Sequence, residues 1–154
     1  MSETVIKCES VYKIFGENAD AAMAAILADG LGKQEVLEAY NAVVGVADVS
    51  LDVHRGEIFC VMGLSGSGKS TLVRHINRLL EPTSGQIIVD GVDVCQLEQN
   101  DLQTFRNRKI GMVFQNFGLL PHRSVLANIA MPLEIRNINK NDRMATAERI
   151  LSMV

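Results

Sequence analysis

Residues 63–71 constrain this chain more than any other stretch. Gly63-Leu64-Ser65-Gly66-Ser67-Gly68-Lys69-Ser70-Thr71 carries Gly, four residues, then Gly-Lys-Ser. The unbroken apolar run Ile58-Phe59-Cys60-Val61-Met62 precedes it, as expected of a strand covered on both faces. A helical pattern over Ser70–Leu80 follows, with Leu72, Ile76, Leu79 and Leu80 toward the core. Strand, loop and helix are the setting this pattern requires. Glycines at 63, 66 and 68 admit backbone conformations denied to residues with a Cβ, so consecutive N–H groups can converge on phosphate oxygens. The helix entrance at Lys69–Leu72 adds unsatisfied N–H groups and the positive end of a dipole. Lys69 supplies a full charge to β- and γ-phosphates, and Ser70 offers a hydroxyl to Mg²⁺. Gly63, Ser65, Gly66, Ser67, Gly68, Lys69, Ser70 and Thr71 are therefore candidate nucleotide contacts. Gly66-x-Gly68 does not begin a dinucleotide fingerprint, because Thr71 stands where the third glycine would be.

The rest of the chain is consistent with one α/β domain. It has 154 residues, 47% hydrophobic and 21% charged, an ordinary globular balance. A net charge of −3 argues against nucleic acid as a partner, since that role normally needs a basic excess. Cys8, Cys60 and Cys95 are widely spaced with no C-x-x-C, which excludes a zinc cluster of local spacing and fits a reducing compartment. The N-terminus reads as no signal peptide, and the longest apolar run, Ala21–Ala28, is too short to cross a bilayer. Work at a membrane would require docking onto a partner that spans it.

Thr4–Phe15 reads as a strand with imperfect alternation. An alanine-rich segment then places Met23, Ile26, Leu27 and Leu31 at helical spacing, and Lys33–Ala42 places Val36, Leu37 and Tyr40 on one side of a second helix. A helical hairpin over residues 17–45 is expected between two strands. Further strands are expected at Val46–Val53, Glu57–Met62, Gln86–Asp90, a short one through Cys95, and Ile110–Gln115. Helices are expected at Asp101–Lys109, Val125–Arg136 and from about Asn141. The last helix meets Val154 with no cap, which reads as a truncation.

A phosphate loop alone could serve a kinase, a GTPase or a transport motor, and its neighbours narrow the choice. Met112-Val113-Phe114-Gln115 resembles the Q-loop of ATP-binding cassette ATPases, and Val11-Tyr12-Lys13-Ile14-Phe15-Gly16 is similar to their aromatic loop. Glu81-Pro82-Thr83-Ser84-Gly85 and Asp90-Gly91 match their antiparallel subdomain. The hairpin, Gly56-Glu57-Ile58-Phe59, the phosphate loop and Asn77-Arg78-Leu79 look like the ATPase subunit of glycine betaine/proline betaine uptake transporters, across essentially the whole chain. The resemblance implies a P-loop NTPase core with an antiparallel β subdomain, residues 124–154 opening a helical subdomain, and Mg²⁺ and ATP as ligands. It implies that Phe15 stacks on adenine, with Tyr12 the neighbouring candidate. Gln115 would contact Mg²⁺ and the attacking water, and with Lys69 forms the catalytic pair. The implied partners are a second copy of the subunit, a membrane permease docking near residues 117–125, and indirectly an extracytoplasmic substrate-binding protein, with the ATPase peripheral on the cytoplasmic face of the plasma membrane. His122 is either a lone surface histidine or part of that docking segment; His54 and His75 read as structural.

The family's signature Leu-Ser-Gly-Gly-Gln, the Asp-Glu pair that polarises water and the switch histidine do not occur in these residues. Ile87-Ile88-Val89-Asp90 has the apolar-then-Asp shape, but Gly91 follows where the Glu should stand. These 154 residues are thus expected to bind ATP without efficient hydrolysis. The other classes open are a cassette protein of another importer, a repair or translation factor of the same family, and a binding-only module.

Overall fold

The computed structural model describes residues 3–114 and 118–153, in two compact units, residues 1–109 and 110–154. The first is built on strands β1 (Thr4–Phe15), β2 (Val43–His54), β3 (Ser84–Val89) and β4 (Val92–Asp93), all paired antiparallel in the order β2-β1-β3-β4. Imperfect alternation in β1 has a physical cause. Cys8, Val11 and Ile14 are all buried although they lie three apart, and the register slips between Cys8 and Val11 and again before Ile14. The slip between Cys8 and Val11 puts an extra residue on β1 and returns Val11 to the cluster that holds Cys8, whereas Ile14 joins the second cluster. Ser10, at φ 44°, sits in the first slip, with its amide donating to Ser50 Oγ at 2.9 Å.

One face of the sheet gathers Cys8, Val11, Val46, Ile87, Val89 and Val94 with Leu72 of helix α3 (Lys69–Ile76). A second cluster joins Ile14 and Val44 to the hairpin helices α1 (Ala19–Asp29) and α2 (Lys33–Tyr40) through Ala22, Met23, Val36 and Ala42. The hairpin lies between β1 and β2 as expected, although Val43–Gly45 already belong to β2. Its buried stripe differs from the expected one: Ala22, Met23, Ala25 and Val36 face inward, while Leu27 and Leu37 are exposed. Of the expected stripe, Met23 and Val36 are buried and Ile26, Leu31 and Tyr40 pack against the same cluster; Ala22 and Ala25 extend the contact face, and Leu27 and Leu37 fall outside it.

Two expected strands are not formed. Residues 57–62 and the described part of 110–114 have no strand pairing, and Ile58, Met62 and Val113 are almost fully exposed. A strand apolar on both faces is held only by ladder partners on its edges and by layers above and below. The described residues supply no such partners to either segment. Helix α3 also ends earlier than its apolar pattern suggests, at Ile76, so Leu79 is exposed. Arg78 at φ 51° leaves the helix, and Arg106 of α4 (Gln99–Lys109) donates to the carbonyls of Asn77 and Arg78. The short strand expected after Gly91 is β4, which ends at Asp93, and a 3-10 turn at Val94–Gln96 takes the chain through Cys95.

The second unit comprises helices α5 (Val125–Ile135) and α6 (Lys140–Leu151) with the loop leading into them. Ser124 Oγ caps α5 by accepting from the Ala127 amide. Asn128 receives the Leu120 amide at 2.8 Å and donates to the carbonyls of Leu120, Arg123 and Ser124, lashing the loop to the helix. Glu134 pairs with Arg123 at 2.6 Å and Arg143 at 3.4 Å, and the Arg123 guanidinium holds its carboxyl below the usual range.

Candidate nucleotide-binding site

The loop ahead of α3 is shaped by steric necessity. Gly68 has φ 90°, and a Cβ there would lie 2.2 Å from the Gly45 carbonyl oxygen of β2. A Cβ on Gly63 would come within 2.7 Å of Ser67 Oγ. Both positions leave the backbone as the wall of the cradle. The first helical bond is Leu72 N–H to Gly68 O at 2.9 Å, so the amides of Lys69, Ser70 and Thr71 precede any intrahelical acceptor. They stand at the positive end of α3, where an anion is favoured.

Lys69 closes the cradle. Its Nζ donates to the carbonyls of Gly63 at 2.8 Å and Leu64 at 2.6 Å, with Ser67 Oγ at 3.4 Å. The ammonium is thus aimed across the loop, over the space the backbone amides enclose. Carbonyl oxygens are weaker partners for a cation than phosphate oxygens. Glycines that leave the backbone bare, three free helix-entrance amides and a converging ammonium fit a triphosphate. Ser70, beside Lys69 on the first turn, is exposed.

The ring of Phe15 reaches the same place through β2. Phe15 pairs with Val43, and its Cε2 lies 2.6 Å from where a Cβ on Gly45 would be. The same Gly45 offers its carbonyl to the close approach of Gly68. Ring and cradle therefore meet across a single residue. The Lys13 ammonium stands 5.3 Å from the ring centroid and donates to the Glu81 carbonyl at 2.7 Å. Thr83 fastens the next turn to β1, its hydroxyl accepting from the Ile14 amide and its amide donating to the Tyr12 carbonyl. Phe15 is 40% exposed, whereas Tyr12 packs against the hairpin cluster. Of the two aromatic candidates, Phe15 is the more exposed and lies against Gly45, whose carbonyl meets the loop at Gly68.

The structure thus brings together Phe15, Gly63, Ser65, Gly66, Ser67, Gly68, Lys69, Ser70 and Thr71. Gln115 lies outside the described residues, as does Phe117 of the docking segment. Sequence reasoning missed Gly45, although a glycine inside a strand is a recognised signal of close backbone approach. A cavity of about 720 Å³ opens beside the loop, lined by Val46, Val49, Leu51, Phe59, Val61 and Leu72 among others. Its walls are mostly apolar, with Lys33 and Ser50 on the side of the sheet and hairpin and Ser67 and Lys69 on the side of the loop.

The glycine-rich loop leading into helix α3, set beside an antiparallel sheet that carries an aromatic ring, defines a class. The ABC transporter family matches residues 46–154, and this chain belongs to it. Its relatives narrow the field. It is 46% identical over 149 residues to the glycine betaine/proline betaine transport system ATP-binding protein ProV of Escherichia coli (strain K12), spanning 97% of this chain and 37% of that protein. It is 47% identical over 154 residues to the trimethylamine N-oxide transport system ATP-binding protein TmoW of Pelagibacter ubique, spanning 100% of this chain and 45% of that protein. The methionine import ATP-binding protein MetN of Desulfitobacterium hafniense is 50% identical, but over 73% of this chain and 33% of its own length. Among solved structures, the dimeric ATP-binding cassette MJ0796 in a post-hydrolysis state, bound to ADP and Pi, superposes with a TM-score of 0.75 at 28% identity, covering 96% of this chain and 56% of that one. The chain spans less than half the length of the curated relatives named here.

Proposed function

We propose that this chain is the nucleotide-binding part of the motor subunit of an importer for glycine betaine or a similar quaternary amine. The observation that carries the reading is the cradle at the entrance of α3, closed by Lys69, with the Phe15 ring one residue away across Gly45. In this role Phe15 stacks on the adenine ring, and the loop from Gly63 to Thr71 holds the triphosphate. Lys69 exchanges its carbonyl partners for β- and γ-phosphate oxygens. Ser70 and Gln115 hold Mg²⁺, which when bound neutralises charge across those phosphates. Gln115 also orients the attacking water. The substrate class is supported by coverage: the quaternary-amine relatives match 97–100% of the chain, and the methionine relative 73%.

In the same reading residues 1–154 form the N-terminal part of one nucleotide-binding domain, with 17–45 an inserted hairpin and 124–154 the start of the helical subdomain. A second copy of the subunit completes each ATP site. The permease docks near residues 117–125, where Leu119, Leu120, Pro121, Val125 and Ile129 line an apolar hollow. A substrate-binding protein delivers the cargo outside. No helix among the described residues is long and apolar enough to cross a membrane. In this reading the subunit sits peripherally on the cytoplasmic face, held by its permease.

The test uses the full-length subunit with its permease. Gln115→Ala is expected to leave ATP affinity within about threefold while depressing hydrolysis and uptake by about a hundredfold, the size expected for losing a group that acts on the attacking water. Unchanged turnover in that variant would remove Gln115 from the mechanism. The 154-residue chain by itself is expected to turn over ATP at the background rate, and rapid hydrolysis by it would contradict the reading.

A further inference from the structure

Gly45 is the point where the base side and the phosphate side of the site touch. It is the third residue of β2, outside the left-handed region, so its backbone would accept any residue. What excludes a side chain there is the Phe15 ring. A Cβ would lie 2.6 Å from Phe15 Cε2 and 3.2 Å from Cδ2, against an ordinary contact of 3.6 Å with the Lys13 carbonyl. The carbonyl of the same residue takes the close approach of Gly68. Its two neighbours along the strand, Val44 and Val46, are buried in two different core clusters. Gly45 is thus held between two fixed packing anchors and cannot retreat.

We propose that Gly45 is a positioning residue that sets the spacing between the base-stacking ring and the phosphate cradle. It allows Phe15 to lie down against the strand and not stand off it, so that a nucleoside triphosphate can reach both at once. A methyl group at 45 lifts the ring out of register with the cradle without touching the cradle's own amides. The Lys13 ammonium, bonded to the Glu81 carbonyl, limits the ring's escape on one side. This rests on the stacking role proposed for Phe15.

The experiment measures dissociation constants of the full-length subunit for Mg-ATP and for inorganic triphosphate with Mg²⁺. Four proteins are compared: wild type, Gly45→Ala, Phe15→Ala and the double variant. Gly45→Ala is expected to weaken ATP about tenfold, the scale of one lost base stack, and to leave inorganic triphosphate within about twofold. Phe15→Ala should do the same, and the double variant should bind ATP no worse than Phe15→Ala alone, because the clash disappears with the ring. Equal weakening of ATP and triphosphate by Gly45→Ala would mean damage to the loop, and would overturn the inference. So would a further loss in the double variant. An ATP affinity that falls with Phe15→Ala and not with Gly45→Ala would overturn the role of Gly45 alone. Indifference of ATP to Phe15→Ala would overturn the stacking reading beneath it.

Discussion

Single residues in this chain are fixed by what cannot fit beside them. Gly68 has a left-handed backbone and a carbonyl oxygen where a side chain would begin. Gly68→Ala is therefore expected to abolish measurable triphosphate binding, and ATP titration of that variant checks it. His75 shows the opposite case, a titratable group chosen for packing. It is fully buried at the end of α3, and its Nδ1–H donates to the Leu80 carbonyl at 2.7 Å, leaving Nε2 an acceptor. Burial pushes its pKa below the ordinary 6.5, the Leu80 bond opposing this only in part. The unfolded chain thus binds the proton more readily, so stability is complete above pH 6.5 and falls as the pH drops below it. An NMR titration should place the His75 midpoint below 6.5; a midpoint above it would contradict the buried neutral ring. The phosphate loop was legible in the sequence because its chemistry is local. Gly45 and Arg106 were not, because their partners lie in Phe15, Gly68, Asn77 and Arg78, far along the chain.

At the scale of elements, legibility follows how much of each element's stabilisation is its own. The hairpin helices and α5 and α6 were readable from periodicity, as were the four paired strands apart from their bounds. The segments at 57–62 and 110–114 have the composition of buried strands, yet composition cannot supply the neighbours that a ladder needs. The inward face of the hairpin was legible in Met23, Ile26, Leu31, Val36 and Tyr40, while periodicity gave no reason to place Ala22 and Ala25 inside and Leu27 and Leu37 outside. This can be checked by denaturation. Val36→Ala, at a fully buried position, should cost about 2 kcal/mol, whereas Leu27→Ala, on the exposed side, should stay within about 0.5 kcal/mol. In the second unit Asn128→Ala removes four hydrogen bonds that bind the 120–124 loop to α5, and a loss of about 2 kcal/mol in that unit's stability is expected.

For the molecule as a whole, the sheet, hairpin and α3 form one unit whose edges converge on the nucleotide site. In the proposed reading β1 supplies the ring, β2 supplies Gly45 and the entrance of α3 supplies the cradle, so three elements distant in sequence would share one function. The family membership rests on 109 matched residues, 46 through 154, and the glycine betaine/proline betaine and trimethylamine N-oxide relatives span 97% and 100% of the chain. The central claim is that the loop before α3 grips the phosphates of ATP through bare amides and the Lys69 ammonium. Calorimetric titration of the subunit with Mg-ATP, wild type against Lys69→Ala, tests it most directly. A loss of one charge-assisted contact, about 1.5–3 kcal/mol, predicts at least a tenfold weaker dissociation constant in the variant. Equal affinity in the two proteins would contradict the account.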